Sequence, residues 1–259
     1  MRVKTAPLSA FAAVCVLLPL AACTSDGDHA AGKNATPRAG ASAGAGTGGS
    51  TAPGAEPGKG GGDASVPLTA PQLERAALAT GDLPKFQVSS ERSPLAPTGQ
   101  PTADKKQCQP LADAMGDEPN TRATHTVNRG LGSLESLGLA VSASLSSYSE
   151  TDAEQLMAQL VSAVKACGAG FTASLDDRAA DYGNIKSTPF TVGGGDETVS
   201  WSTVATNEGV TAPIHLVVVR KGATVARFMA FDLAGHTPPR VPQQVADKQL
   251  AKVGQALAG

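Results

Sequence analysis

The stretch PIHLVVVRKGATVARFMAF, residues 213–231, decides the fold. Lys221-Gly222 separates two apolar runs and predicts a β-hairpin with a two-residue turn, in which the glycine supplies the positive φ and Arg220 pairs with Ala223. Both faces of this hairpin carry apolar side chains. Such a pattern is typical of strands at the centre of a sheet that is covered on both sides, or of strands that line a cavity.

Residues 137–148 form the clearest single strand outside the hairpin. Leu139, Val141 and Leu145 alternate with small residues, mostly serine, at the period of two that a strand requires. We expect the apolar face to be buried and the serine face to be wet or lightly covered.

The rest of the folded part alternates between helical and strand patterns. Thr69 and Thr151 each open a helix through a capping-box pattern, and Gly81, Gly116 and Gly168 end the three helices that precede them. The pattern predicts an α+β fold, a mainly antiparallel sheet with helices packed on it. Its further elements are helices over residues 69–79, 109–115, 151–167 and 241–257, and strands over residues 184–190 and 198–206.

The N-terminal residues have the pattern of a targeting signal. Arg2 and Lys4 precede an apolar run over residues 8–20, which is too short to span a bilayer. The run ends in Leu20-Ala21-Ala22-Cys23, which resembles the lipobox of bacterial lipoproteins. That resemblance implies that residues 1–22 are a signal peptide and that the Cys23 thiol carries a lipid. An ordinary secretory peptide with a chance cysteine is the alternative.

A flexible tether follows the predicted lipidated cysteine, giving a segment over residues 23–65. Residues 24–65 contain 12 glycines and almost no large apolar side chain, so they cannot offset the entropy of ordering. As a coil this segment spans about 35 Å. Residues 66–259 then form a single α+β domain, on the outer face of a cell membrane to which acyl chains on Cys23 hold it.

Two cysteines belong to the predicted domain. Cys108 precedes a short helix, and Cys167 lies on the apolar stripe at the last turn of a later one. In an extracytoplasmic compartment a disulfide is expected. Two buried free thiols remain an alternative, and so does a metal pair, although no CxxC, HExxH or His/Cys cluster supports a metal.

Composition excludes several classes of protein. The net charge is −2 without a dense basic patch, and aromatic residues make up only 3% of the chain, so we expect no nucleic-acid partner. Gly193-Gly194-Gly195-Asp196 lacks the Gly-Lys-Ser/Thr ending of a phosphate loop and is interpreted as a turn. We expect no cofactor and no metal.

Four residues are weak candidates for a ligand site. His215 interrupts an apolar strand, and the predicted pairing places it opposite Phe228. It is either a satisfied sheet-face histidine or a pocket donor. Trp201 is either core or a pocket wall. Arg227 is either at the solvent edge, which we favour, or a cavity cation for an anionic ligand. No residue is assigned a catalytic role, because no Gly-x-Ser-x-Gly elbow is present.

The order of these parts resembles a known class of domain. The lipobox, the tether, Gly81-Asp82-Leu83-Pro84, the two domain cysteines and the hairpin with Val219-Arg220-Lys221-Gly222 look like the sensor-type domain of actinobacterial lipoproteins. They are also similar to the extracellular domain of PknH-type receptor kinases. The resemblance implies an antiparallel sheet flanked by helices, a Cys108–Cys167 bridge and a ligand cleft. The kinase domain has two cysteine pairs where this chain has one.

The sequence therefore predicts a non-enzymatic, membrane-anchored lipoprotein with a ligand- or partner-binding domain. Its partners would be the membrane, through Cys23, and an unknown small molecule, lipid or envelope protein. One alternative is a carrier of lipid or another apolar envelope molecule, suggested by the hairpin with two apolar faces. Another is an envelope hydrolase that uses His215 or His125.

Overall fold

The computed structural model describes residues 64–90, 99–118, 122–235 and 238–259. Within these ranges the chain forms four α-helices and one antiparallel sheet of nine strands, so the predicted α+β fold is confirmed. The helices are α1 (Ala70–Ala76), α2 (Gln109–Met115), α3 (Glu150–Ala166) and α4 (Gln243–Leu257), and a 3-10 turn, Lys106–Cys108, leads into α2. The strands are β1 (Phe86–Ser89), β2 (Thr102–Ala103), β3 (His125–Ser133), β4 (Leu139–Ser147), β5 (Phe171–Leu175), β6 (Arg178–Ser187), β7 (Glu197–Asn207), β8 (Val210–Lys221) and β9 (Thr224–Asp232).

The β8–β9 hairpin lies at the centre of the sheet, as its two apolar faces predict. The strand order is β1-β3-β4-β9-β8-β7-β6-β5-β2. The turn consists of Gly222 and Ala223, and Gly222 has a φ of 55°. The predicted pairing of Arg220 with Ala223 is wrong, because Arg220 pairs with Val225. The shift is two residues, so each side chain keeps its predicted face.

Helices cover both faces of the sheet and create two cores. We call the side under α2 and α3 the α2–α3 face, and the other side the α1–α4 face. Side chains alternate between them along the hairpin: Leu216 and Val218 enter the core of the α2–α3 face, whereas Val217 and Val219 enter the other. Burial of each such side chain contributes about 1.5–3 kcal/mol.

Helix α1 begins as predicted and ends early. Thr69 and Gln72 form the capping box at its start. The helix stops at Ala76 instead of continuing to Ala79. Leu78 is fully buried, its N–H donates to Gln249 Oε1 at 3.2 Å, and its carbonyl accepts from Arg129 Nε at 2.9 Å. These tertiary partners replace the helical hydrogen bonds of the backbone.

The start of α3 and the serine face of β4 also differ from the prediction. The N-cap of α3 is Ser149, two residues before Thr151, and the Ser149 hydroxyl accepts from the N–H of Asp152 at 3.1 Å. Ser144 and Ser146 are buried on β4, because α2 and α3 cover the face that the sequence predicts to be wet or lightly covered. This covered polar face becomes the setting of the candidate site.

A disulfide joins Cys108 to Cys167, as the sequence led us to expect, with 5.9 Å between the Cα atoms. Both cysteines are buried in the core of the α2–α3 face. The bridge links the start of α2 to the end of α3, so the two helices that cover this face are covalently connected.

Residues 1–63 lie outside the described part of the chain, and so do the predictions made for them: the signal peptide, the lipidated Cys23 and nearly all of the tether. Within the described ranges, no helix has the length and apolar character needed to cross a membrane.

Removing the disulfide is expected to destabilise the domain strongly. The bridged residues are 59 positions apart, and closing a loop of that length contributes about 4 kcal/mol in the chain-entropy model. We expect urea unfolding of the double variant Cys108→Ser/Cys167→Ser to show this loss in the free energy of unfolding. A reducing agent should lower the stability of the wild type and leave the variant unchanged. Equal stability of variant and oxidised wild type would contradict the assigned role.

Candidate functional site

The four candidate residues from the sequence do not meet in one place. Trp201 and Arg227 lie on the α2–α3 face, whereas His215 and Phe228 lie on the α1–α4 face. His215 pairs with Ala230 and not with Phe228, because of the register shift in the hairpin. The four residues therefore do not line a single cleft.

Trp201 and Phe228 fill the two cores. Both side chains are fully buried, Trp201 in the core of the α2–α3 face and Phe228 in the core of the opposite face. Trp201 pairs with Leu216 across β7 and β8. Neither residue lines the enclosed cavity described below. Their bulk supports packing, which is the ordinary use of large aromatic side chains.

His215 is a buried histidine whose two ring nitrogens both have partners. Nδ1 accepts from the backbone N–H of Val241 at 3.0 Å, which places the proton of the neutral ring on Nε2. Nε2 lies 3.0 Å from Thr188 Oγ1 and 3.1 Å from Ser200 Oγ. Burial, with a smaller contribution from the charge of Arg240, lowers the pKa of His215 to about 4. The side chain is neutral at pH 7 and ties β7 and β8 to the segment before α4.

The hydrogen bond between Ser200 and His215 runs in the wrong direction for a hydrolase. A catalytic histidine accepts the serine proton on one nitrogen while its other N–H donates to a carboxylate. Here the second nitrogen accepts a backbone N–H, so the nitrogen that faces Ser200 carries the proton. Both side chains are also buried. His125 is exposed at the start of β3, and His236 lies outside the described residues.

Arg227 is buried, and the expectation that it lies at the solvent edge is wrong. Only 9% of the residue is exposed, because α2 covers this part of β9. Nη1 donates to the carbonyls of Ala114, at 2.8 Å, and Gly116, and Nη2 donates to Ser144 Oγ. Burial lowers the pKa of Arg227 to about 10, and the nearby Asp117 opposes this change. The guanidinium therefore stays charged at neutral pH.

Gly116 fits the close packing at the end of α2. A Cβ atom at this position would collide with the carbonyl oxygen of Gly99. The glycine that ends the helix, as the sequence predicts, is also the residue whose carbonyl accepts from Arg227.

A cavity of about 50 Å³ lies beside Arg227, between α2, α3 and the sheet. It has room for a few water molecules or one small chemical group, and not for an acyl chain. Its walls combine charged, hydroxyl and aliphatic side chains. The polar residues that line it are Asp113, Asp117, Glu118, Thr126, Ser144, Ser146, Tyr148 and Arg227.

The hydroxyl groups of the cavity lie in two separate hydrogen-bonded groups. Thr126 Oγ1 and Ser146 Oγ are 2.8 Å apart, and Ser144 Oγ donates to Asn128 Oδ1 at 2.6 Å while it accepts from Arg227. Burial raises the pKa of Tyr148 to about 12, so its phenol keeps its proton. Burial also raises the pKa of Asp113, although a hydrogen bond from Gln109 opposes the change.

An open groove of about 560 Å³ runs between α2 and α3. Asp113 and Pro110 line both the groove and the cavity, so the two spaces are adjacent at this part of α2. Small residues of α3, including Ala158, Ala163 and Ala166, line the groove. This junction is the candidate functional site. In the part of the chain that the structure describes, no group of three or more His, Cys, Asp or Glu residues could hold a metal ion.

The sequence reasoning selected Arg227 but missed its surroundings. Asp113 and Tyr148 are not among the sequence candidates, and the serine face of β4 is expected to be wet or lightly covered. The one available signal was the conjunction of an arginine inside an apolar strand with a row of serines on another strand. Their proximity follows only from the pairing of Ser144 with Arg227 across β4 and β9.

No protein-family model and no curated protein matches the chain. Among solved structures, the chain is similar to the extracellular domain of PknH from Mycobacterium tuberculosis, with a TM-score of 0.49 and 11% identity. That likeness covers 74% of this chain and 98% of the other. A putative uncharacterized protein (Rv0999 ortholog) from Mycobacterium smegmatis gives a TM-score of 0.36 and 12% identity over 77% of this chain and 98% of that one. Likenesses at this level do not establish a shared ligand or activity.

The buried His215 predicts a specific dependence of stability on pH. Its pKa is about 4 in the folded state and near 6.5 when unfolded, so the unfolded state binds more protons between these values. Stability should therefore fall on acidification from pH 6.5 to 4, by about 3 kcal/mol at most from this residue. The free energy of unfolding, measured with urea across this pH range, should change less steeply with pH in His215→Gln than in the wild type.

The exposed His125 provides the control. His125→Gln should retain the wild-type slope, since this side chain is accessible to water in the folded protein. An identical slope in the wild type and in His215→Gln would contradict the neutral, buried state assigned to His215.

Proposed function

We propose that the protein is an extracytoplasmic, membrane-anchored lipoprotein whose folded domain binds a ligand without transforming it. The observation that carries this proposal is the cavity beside Arg227, which adjoins the groove between α2 and α3. A concave site with a few converging polar groups is the usual form of a small-molecule site. We assign ligand binding to this junction.

The polar groups of the site argue for a role beyond packing. A buried arginine requires several kcal/mol of compensation for its lost hydration, and apolar residues of similar volume often stabilise a fold as well or better. The opposite face of the same sheet also buries polar side chains, among them Arg129, His215 and Gln249, but each of these has partners within the fold. The polar groups around Arg227 differ in that they border a cavity, which supports a role in binding.

The charged and hydroxyl groups favour binding over catalysis. Tyr148 holds its proton, with a pKa of about 12, and Arg227 is occupied by two carbonyls and a serine hydroxyl. Catalytic acids and bases work best with a pKa near the ambient pH. On the other face, His215 directs a proton toward Ser200 and cannot activate it as a base.

A lipid carrier is less well supported. Both faces of the central hairpin are packed against helices, and the residues that suggested a carrier belong to the two cores. An enclosed volume of about 50 Å³ does not accommodate an acyl chain. The groove is open, and its side chains include Lys106, Gln107 and Gln159.

Anchoring rests on the sequence of the N-terminus. The charged start, the apolar run and Leu20-Ala21-Ala22-Cys23 are the parts of a lipoprotein signal, and the glycine-rich segment separates the anchor from the domain. The disulfide between Cys108 and Cys167 agrees with an oxidising compartment outside the cytoplasm. Two or more acyl chains, at about 0.8 kcal/mol for each buried methylene, would hold the protein on the bilayer.

One preparation from the protein's own host tests both parts of the proposal. We expect the wild type to fractionate with membranes and Cys23→Ala to remain in the soluble extracytoplasmic fraction, because the variant has no thiol to lipidate. We also expect native mass spectrometry of Cys23→Ala to show a co-purifying small ligand. A further Arg227→Gln substitution should remove that ligand, because it disrupts the cavity wall.

Arg178→Gln provides the matched control, since Arg178 is exposed at the start of β6 and should leave the ligand in place. Membrane association that persists in Cys23→Ala would overturn the anchor. A bound acyl lipid, or a ligand retained by Arg227→Gln, would overturn the assignment of the site.

A further inference from the structure

Asp113 is the group of the candidate site that is best placed to meet a ligand. It lines both the groove and the cavity, and it is half-buried in the third position from the end of α2. Its Oδ1 accepts from Gln109 Nε2 at 2.7 Å. Among the ion pairs formed by the described residues, none includes Asp113. A carboxylate at a sheltered junction without a cationic partner favours a cationic ligand group.

The donors of Arg227 are largely used within the protein. Its Nη1 already donates to two carbonyls and its Nη2 to a serine hydroxyl, and Asp117 interacts with its charge. Three of its five N–H donors are thus used within the protein. The arginine therefore forms part of the cavity wall, and the alternative from the sequence, a cavity cation for an anionic ligand, stays a prediction.

The remaining wall suits a hydrogen-bond donor with a positive charge. Of the three carboxyl-bearing residues that line the cavity, Asp117 already accepts from the N–H of Gly99 and interacts with Arg227, so Asp113 is the carboxyl group offered to the ligand. The hydroxyls of Ser146 and Tyr148 offer further acceptor positions. An ammonium group has three donors and no acceptor, and it is small enough for a volume of about 50 Å³.

The groove indicates what such an ammonium group is attached to. Lys106 lines the groove, seven positions before Asp113, and it is exposed. With a rise of about 2.0 Å per residue over the 3-10 turn and 1.5 Å per residue over α2, the two ends are about 12 Å apart. Three residues of extended peptide span about the same length. The groove thus has a negative end, a positive end and a narrow floor of alanines between them.

We propose that the groove between α2 and α3 binds a short peptide of about three residues with free termini. Its amino-terminal ammonium group contacts Asp113 at the cavity, and its carboxylate reaches Lys106. The alanines of α3 leave room for small side chains, and Gln107 and Gln159 are available to the peptide backbone. This inference names the ligand class of the site in the proposed function and rests on that proposal.

Isothermal titration of the full-length protein in detergent micelles tests the inference with trialanine as the probe. We expect trialanine to bind, and N-acetyl-trialanine to bind about tenfold to 100-fold more weakly, because a charge-assisted hydrogen bond is lost. Asp113→Asn should weaken the binding of trialanine by the same factor and should not further weaken the binding of the acetylated peptide. Asn retains the oxygen that accepts from Gln109, so the fold is preserved.

The carboxylate end has its own pair of probes. Lys106→Gln should weaken the binding of trialanine and leave the binding of trialanine amide unchanged. Asp177→Asn is the matched control, since Asp177 is exposed in the turn between β5 and β6, and it should leave every titration unchanged. Melting temperatures of all variants should stay close to that of the wild type.

Equal binding of free and acetylated trialanine, or undiminished binding by Asp113→Asn, would overturn the peptide orientation. No binding of any peptide, combined with a different ligand in native mass spectrometry, would overturn the inference and leave the proposed function standing. The absence of both a peptide and a native ligand would overturn both.

Discussion

The buried guanidinium of Arg227 is the interaction on which the site depends. It joins the central strand β9 to the end of α2 through the carbonyls of Ala114 and Gly116, and to β4 through Ser144. Removing one partner from a buried charged contact costs about 3–5 kcal/mol, since the remaining groups lose both their partner and their hydration. The position of α2 is therefore fixed at one end by Arg227 and at the other by the disulfide of Cys108.

The two faces of the sheet have different roles as a result. The α1–α4 face is a core of apolar side chains in which the buried polar residues Arg129, His215 and Gln249 have partners, and His215 holds the segment before α4 through Val241. The α2–α3 face combines an apolar core with a polar cavity and an open groove. Because two fixed points hold α2, the groove exists before a ligand arrives, and binding does not have to organise it.

The sequence predicted the features that follow from hydrophobic patterning. The two apolar faces of residues 213–231 predicted either the centre of a covered sheet or the lining of a cavity, and the structure shows the first. Strands β1, β2, β3 and β5 were missed because they are short or carry few apolar residues, and their pairing partners stabilise them. Arg227 and the serines of β4 were misjudged for a related reason. Whether a polar residue on a sheet is wet depends on which helix covers it, and the local pattern does not contain that information.

The central claim is that Arg227 holds α2 in place over the sheet. Hydrogen exchange measured by mass spectrometry tests it directly, in Arg227→Met and in the control Arg178→Met. The account predicts exchange at least about tenfold faster in peptides covering α2 in Arg227→Met, with α4 unchanged, because the clamp acts locally. Unchanged exchange in α2, or an equal acceleration in α2 and α4, would contradict it.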